Sequence, residues 1–209
     1  MAEHSSRCGP SSAPCEHRRR RGDVLEQAIY DAVVEQLGTV GYGALTMEGV
    51  AGQARTGKAA LYRRWPSKDE LVIDALQHRM PALDDPPDTG SVRADLLEVL
   101  NRMARTINSP TGCAIQNLMS EAQRDRDFLR LVHARVIGPR KRMMMAVLRR
   151  GAERGEARAD AGSELLAQVG PAMVIYHFLV HGPPVTPQTV RTIVDRVLMP
   201  MLRPPQPGK

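Results

Sequence analysis

The stretch LTMEGVAGQARTGKAALYRRWPSK, Leu45 to Lys68, decides the fold. Thr46 can accept from a free backbone N–H and so cap a helix. Glu48 follows in the first turn, where a negative charge suits the positive end of the helix dipole. This short helix runs to about Ala54. Arg55-Thr56-Gly57 breaks it, and a second short helix spans Lys58 to about Arg64. Trp65-Pro66 ends that one, because the residue before proline disfavours the α region. Ser67-Lys68-Asp69-Glu70 is a capping box for the next helix, with Pro66 and Leu71 placed for a hydrophobic staple. That helix runs towards Met80 and is stopped by Pro81. On the N-terminal side the ordered pattern begins at Val24. Leu25, Ala28, Ile29, Ala32, Val33 and Val40 share one arc of a first helix, which Gly41 closes.

Two short helices joined by a tight break, with a longer helix on either side, have the layout of a helix-turn-helix in a small bundle. Val50, Ala51, Ala54 and Leu61 can clamp the short pair at a steep angle, and the small side chains at 51 and 54 let the axes approach. The second short helix can then enter a major groove about 12 Å wide. The charge pattern agrees with this. Residues 55–68 carry Arg55, Lys58, Arg63, Arg64 and Lys68 and no acid, a local +5 in a chain whose net charge is +6. The other 195 residues therefore sum to only +1.

Composition sets the outer bounds. At 209 residues the chain is long enough to bury a real core. Aromatics make up 3%, while Ala, Leu, Val, Arg and Met are plentiful, which favours helices over β architectures. No stretch approaches the roughly 20 apolar residues that span a bilayer. The most apolar run, 169–180, contains Pro171 and His177. No apolar segment after Met1 could serve as a signal peptide. Cys8, Cys15 and Cys113 do not suggest a disulfide framework, so a reducing cytoplasm is the expectation. Residues 1–21, ending in Arg18-Arg19-Arg20-Arg21, read as a disordered arm: either a solvated tail or an extension that touches DNA phosphates. His4, Cys8, Cys15 and His17 in that arm include no CxxC pair, so they make a weak zinc site.

From Val24 to Leu71 the residues resemble the DNA-binding domain of the tetracycline-repressor (TetR) family of bacterial regulators. The matching residues are Gly41-Tyr42, Leu45-Thr46-Met47-Glu48-Gly49-Val50-Ala51, and Leu61-Tyr62-Arg63-Arg64-Trp65-Pro66-Ser67-Lys68. The resemblance implies that Thr46, Tyr62 and Lys68 contact phosphate and that the short helix around Lys58 to Ala60 faces base edges. Two departures bear on readout. The family usually has Gly-Val-Ser where this chain has Arg55-Thr56-Gly57, and a Thr where Ala60 stands. Direct readout then rests mainly on Lys58, with Arg55 and Thr56 helping and Ala59 or Ala60 free to pack on a thymine methyl. With Arg63 and Arg64, the expected DNA-facing set runs from Thr46 to Lys68.

Beyond the connector 81–90, helical patterns fall near 92–108, 112–124, 127–150, 162–180 and 187–202, followed by a disordered tail, 203–209. The fold class is therefore all-α: a three-helix helix-turn-helix DNA-binding domain (22–80, motif 46–65) followed by a larger helical ligand-binding and dimerisation domain (91–202). Leu165, Leu166, Val169, Met173, Tyr176 and Val180 form one apolar stripe. Val190, Ile193, Val194, Val197, Leu198 and Met201 form another. They are either a dimer contact or the core of one subunit. The family resemblance also implies a pocket for an apolar small molecule, with Leu100, Met103, Ile107, Ile115, Met119, Met144, Leu148, Met173 and His177 as its lining or as plain core. His177 and His181 share a helix face, but no Glu completes the metalloprotease motif, and a role at a helix end is favoured over metal. No catalytic set stands out, and neither cofactor nor metal is expected. The expected function is a cytoplasmic homodimeric repressor, released from a palindromic DNA operator by the ligand. Two alternatives stand beside it: an effector-independent activator or architectural protein whose C-terminal half only dimerises, and a metal-binding or catalytic helical protein.

Overall fold

A computed structural model describes residues 14–80 and 86–204, with side chains from Gly22 onward. The expectations for residues 1–13, the Pro81 stop, the tail 205–209, and the side chains of Cys15, His17 and Arg18 to Arg21 lie outside the described residues. Among these residues every regular element is helical. The N-terminal half contains α1 (Pro14–Thr39), α2 (Gly41–Ala44), α3 (Met47–Gln53), α4 (Lys58–Tyr62) and α5 (Lys68–Arg79). The C-terminal half contains α6 (Val92–Ile107), α7 (Pro110–Ala122), α8 (Arg126–Val132), α9 (Gly138–Glu153), α10 (Glu164–His181), α11 (Pro187–Ile193) and α12 (Met199–Leu202).

One boundary differs from expectation. The backbone of 14–21 is helical, because α1 opens at Pro14, so this part of the expected disordered arm is a helix start. Pro14 suits a first helical turn, Arg is a good helix former, and the next proline is Pro66. A polar, charged composition had hidden that continuity.

Two π-helical segments interrupt the later helices, at His133–Ile137 and Val194–Leu198. Each stands just before a helical proline, Pro139 or Pro200. A proline lacks an N–H and its ring crowds the carbonyl four residues back, so the chain widens by one residue to keep the helix running. The expected single helix over 127–150 is thus one continuous run of α8, a π turn and α9.

The apolar residues gather into two cores. The first joins α1, α3, α4 and α5 through Ile29, Val33, Leu37, Val50, Leu61, Leu71, Val72 and Leu76. It also takes in Leu118 of α7, Phe128 and Val132 of α8, and Val136. Hydrogen bonds cross the same seam, from Asn117 to the Leu37 carbonyl at 2.8 Å and from Gln77 to the Arg135 carbonyl at 2.8 Å. The second core packs α6 and α9–α12 around Leu96, Leu100, Met144, Leu148, Val174, Val190 and Val194. Helices α7 and α8 follow the connector in sequence but pack with the N-terminal helices, so these two halves meet across a continuous core rather than at a linker.

At the start of α6 one carboxylate is fully buried. Asp95 accepts from the Thr89 N–H and hydroxyl, both at 2.7 Å, and pairs with Arg154 at 3.0 Å. Arg154 also reaches Asp88 and Glu156. Burial pulls the Asp95 carboxyl upward, yet the Thr89 and Arg154 contacts outweigh it and hold the group below its ordinary value. This cluster ties the first turn of α6 to the end of α9.

Candidate nucleic-acid interface

The surface is built from the capping residues outward. The Thr46 hydroxyl accepts from the Gly49 N–H at 3.0 Å. A hydroxyl has one donor beside its acceptor sites, so its proton remains free for a phosphate oxygen. Val50, Ala51, Ala54 and Leu61 are all buried and join α3 to α4, as their spacing predicts.

The turn between them has a specific form. The Thr56 N–H donates to the Ala51 carbonyl at 2.9 Å and the Arg55 N–H to the Gly52 carbonyl at 3.2 Å. These two bonds make a Schellman cap, which needs a left-handed residue at Arg55. Arg55 has φ +53°, the single non-glycine residue with positive φ among the described residues. The same cap closes α9, where Gly155 fills that place with φ +75°.

The far end of α4 is held by polar contacts beneath it. The Trp65 indole N–H and the Tyr30 hydroxyl both donate to Asp74, each at 2.8 Å. The same Tyr30 oxygen lies 2.8 Å from a Glu26 carboxylate oxygen, so its one proton is shared between the two carboxylates. Burial, then the hydrogen bonds to Asp74 and Glu26, push the Tyr30 phenol well above its ordinary value, so it stays a donor. These contacts fix α4 against α1 and α5 and leave its other face outward. Lys58, Ala59, Tyr62 and Arg63 are exposed on that face, as are Arg55 and Gly57 on the turn. Thr56 and Ala60 are half-buried.

The structure pairs cations that the sequence leaves free. Lys58 forms an ion pair with Glu48 of α3, and its ammonium lies 5.5 Å from the Tyr62 ring centre. Arg64 pairs with Glu26 at 2.7 Å. Arg55 and Arg63 have no carboxylate partner among the described residues. Two carboxylates thus bring the local charge of this patch from +5 to +3.

Lys68 is anchored from an unexpected side. It donates to the Tyr42 carbonyl at 2.9 Å and sits 4.1 Å from that ring's centre. Two further N–H groups remain for a phosphate at the start of α5. The Tyr42 ring stacks on Phe128 of α8, centroids 4.4 Å apart at 15°, and its hydroxyl donates to Asp69. Burial, then that bond, raise the phenol above its ordinary value and keep it protonated. Sequence reasoning missed Tyr42 and Glu48 as members of this surface. Gly41-Tyr42 signals only a helix end, and Glu48 only a favourable charge in a first turn.

The expected ligand pocket and dimer stripes fare differently. The bundle encloses a cavity of about 10 Å³ lined by Leu96, Met144, Leu148, Leu166, Gly170 and neighbours on α12. Such a space holds about one water, against roughly 300–1,000 Å³ in ligand sites. Of the nine expected lining residues only Met144 and Leu148 border it. Ile115 and Met119 pack against the first core, because they stand on α7. Leu100, Met103, Ile107 and Met173 belong to the second core, and the half-buried His177 ring lies 4.8 Å from that of His181. Among the described residues no group of three or more His, Cys, Asp or Glu could hold a metal.

On the stripes, Val190 and Val194 are completely buried within their own subunit, which corrects their expected place in a dimer contact. Ile193 and Leu198 are buried too, while Val197 and Val169 are half-buried. Leu165 (75% exposed), Tyr176 (63%), Val180 and Met201 remain outward, joined by Ile175 and Leu179. The Ala167, Gly170 and Val174 side of α10 is the one buried. An all-round apolar helix gave no sequence cue to which side its own subunit uses.

Comparison with known proteins agrees with this geometry. Residues 29–75 match the family described as bacterial regulatory proteins, tetR family. Residues 86–197 match a tetracyclin repressor-like C-terminal domain. An uncharacterized HTH-type transcriptional regulator of Mycobacterium tuberculosis, strain H37Rv, is 33% identical over 162 residues, covering 78% of this chain and 80% of that protein. The DNA-binding transcriptional repressor TetR of Mycobacteroides abscessus is 29% identical over 185 residues, covering 88% and 97%. The crystal structure of the TetR family transcription regulator SCO0332 superposes with a TM-score of 0.67 at 30% identity, covering 86% of this chain and 99% of that one. Such proteins regulate transcription and are not enzymes. The chain, with its helix-turn-helix and helical C-terminal half, belongs to the TetR family of bacterial transcriptional regulators.

Proposed function

We propose that this regulator is a cytoplasmic homodimeric repressor that binds a palindromic operator and is released by an apolar small molecule. The observation that carries the reading is the exposed surface of α3, the turn and α4, where Thr46, Arg55, Lys58, Tyr62 and Arg63 are outward and Lys58 bridges to Glu48. In that reading residues 22–80 bind DNA and 91–202 dimerise and take the ligand. Thr46, Tyr62 and Lys68 hold phosphates, which fix register but carry no sequence information. Lys58 faces base edges, with Arg55, Thr56, Gly57, Ala59 and Ala60 around it and Arg63 and Arg64 adding positive charge. Two-fold pairing through Leu165, Tyr176, Leu179 and Val180 of α10 sets two such surfaces about one DNA turn apart. The mycobacterial repressor among its relatives supports the sign of regulation.

Release is a population shift. A ligand that prefers the conformation with wrongly spaced recognition helices must favour it by about 10⁴ in affinity to move a 1:99 balance to 99:1. With only about 10 Å³ enclosed beside Met144 and Leu166, such a ligand either opens the bundle there or takes the open cleft of about 370 Å³ beside Pro139, Arg142 and Met143. The same closure favours a second reading, in which the C-terminal half only dimerises and no effector exists. Selection from a randomised duplex library tests the DNA reading: an enriched inverted repeat holding two chains supports it, and no enrichment refutes it. Screening apolar compounds for release of that duplex separates the two readings. A compound that frees the DNA supports the first.

A further inference from the structure

Across α3, the turn and α4 the recognition surface carries a single carboxylate, Glu48, where a purely phosphate-binding surface would have none. Glu48 stands in the first turn of α3 and Lys58 in the first turn of α4, and the fold of the turn brings them into an ion pair. Both side chains are more than half exposed, at 59% and 51%. The pair keeps its charges, since Lys58 lowers the Glu48 carboxyl and Glu48 raises the Lys58 ammonium.

A carboxylate facing DNA repels the backbone and the acceptor edges of guanine. It gains only from an exposed amino group, which cytosine N4 and adenine N6 both offer in the major groove, but only in a G·C pair do two adjacent acceptors stand beside that amino group. A lone lysine is a flexible point charge that serves phosphate and guanine alike. Tied to Glu48, Lys58 gains a fixed direction and the patch gains an acceptor beside a donor. The major-groove edge of a G·C pair presents the complement, guanine N7 and O6 as acceptors next to the cytosine amino donor. We infer that Glu48 is a specificity-determining residue, reading cytosine in one G·C pair of each half-site while Lys58 takes the guanine.

This inference rests on the reading of α3 and α4 as the operator-binding surface, and it deepens that reading. Its test is binding of purified full-length wild type, Glu48→Ala, Glu48→Gln and Lys58→Ala to the enriched duplex. Each is also measured on the duplex substituted, one position at a time, with the other three base pairs, and on a random duplex. Wild type should lose about tenfold or more at one G·C position per half-site. Glu48→Ala should bind random DNA more tightly, because a repulsive charge is gone, and should lose that discrimination. Glu48→Gln should shift the preference there towards A·T, since an amide suits adenine N6 and N7. Circular dichroism and melting confirm that each variant is folded. If Glu48→Ala weakens all four duplexes alike, or keeps the wild-type base profile, Glu48 acts only on helix stability and the inference is overturned. If Glu48→Gln keeps the cytosine preference, the assignment is likewise wrong. Failure of the wild type to enrich any operator is a different result, and it overturns the operator-binding reading itself.

Discussion

Arg55 separates the energetics of the turn from its role on DNA. A left-handed conformation costs an ordinary residue about 1–2 kcal/mol, which glycine does not incur. Glycine in turn loses more freedom on folding, by about 0.4–1 kcal/mol. With φ at +53° and both Schellman hydrogen bonds in place, Arg55→Gly should therefore stabilise the fold by about 0.5–1 kcal/mol. For a chain of this length that is a rise of about 1–4 °C in melting temperature. Arg55→Ala keeps the left-handed cost and removes only the guanidinium, so it should leave the melting point near wild type. Both variants lose one cation from the DNA-facing side and should lower the slope of log K against log salt by about one unit. Scanning calorimetry at one fixed protein concentration reads the first effect, and titration of the enriched duplex at several salt concentrations reads the second. Equal melting points for the Gly and Ala variants would refute the reasoning about backbone strain, whatever happens on DNA.

Asp95 gives an acid-side prediction. Its carboxyl is held below the ordinary value, so its contribution is present above about pH 4 and fades as pH falls through the lower folded value. Asp95→Asn should flatten that part of the stability curve measured by urea unfolding from pH 6 to 2. Asp95→Ala removes the acceptor of the Thr89 N–H while Arg154 keeps Asp88 and Glu156, and should cost about 1–3 kcal/mol at neutral pH. Tyr176→Arg places a charge on the outward face of α10 without touching either core. It should turn the proposed dimer into a folded monomer in sedimentation velocity, and a dimer of unchanged affinity would remove that face from the proposed interface.

Local signals carried the N-terminal half. Thr46, Ser67 and Gly41 fix helix ends by chemistry that lies within a few residues, and the structure places those ends within a residue or two of expectation. Even the departure at Arg55 was visible as a missing glycine, although not the conformation that the arginine adopts in its place. Relations between distant residues were not legible. Nothing in the spacing of Glu48 and Lys58, or of Tyr42 and Phe128, announces a contact that only tertiary packing makes. On α10 to α12 the helices are apolar on several faces. Periodicity therefore marked Val194 and Leu165 alike, although one is core and the other faces outward. The pocket is implied by the family resemblance, with its expected residues as lining or plain core, and Leu100, Met103 and Met173 pack in the second core.

In the proposed complex the outward face of α3, α4 and the start of α5 grips operator phosphates. The most direct measurement is the affinity and salt dependence of the double variant Tyr62→Ala and Lys68→Ala on the enriched duplex, with folding verified by melting. Binding should weaken on specific and random duplexes alike, with the slope of log K against log salt smaller by about one unit for the one cation lost. Unchanged affinity and slope in a folded double variant would contradict it.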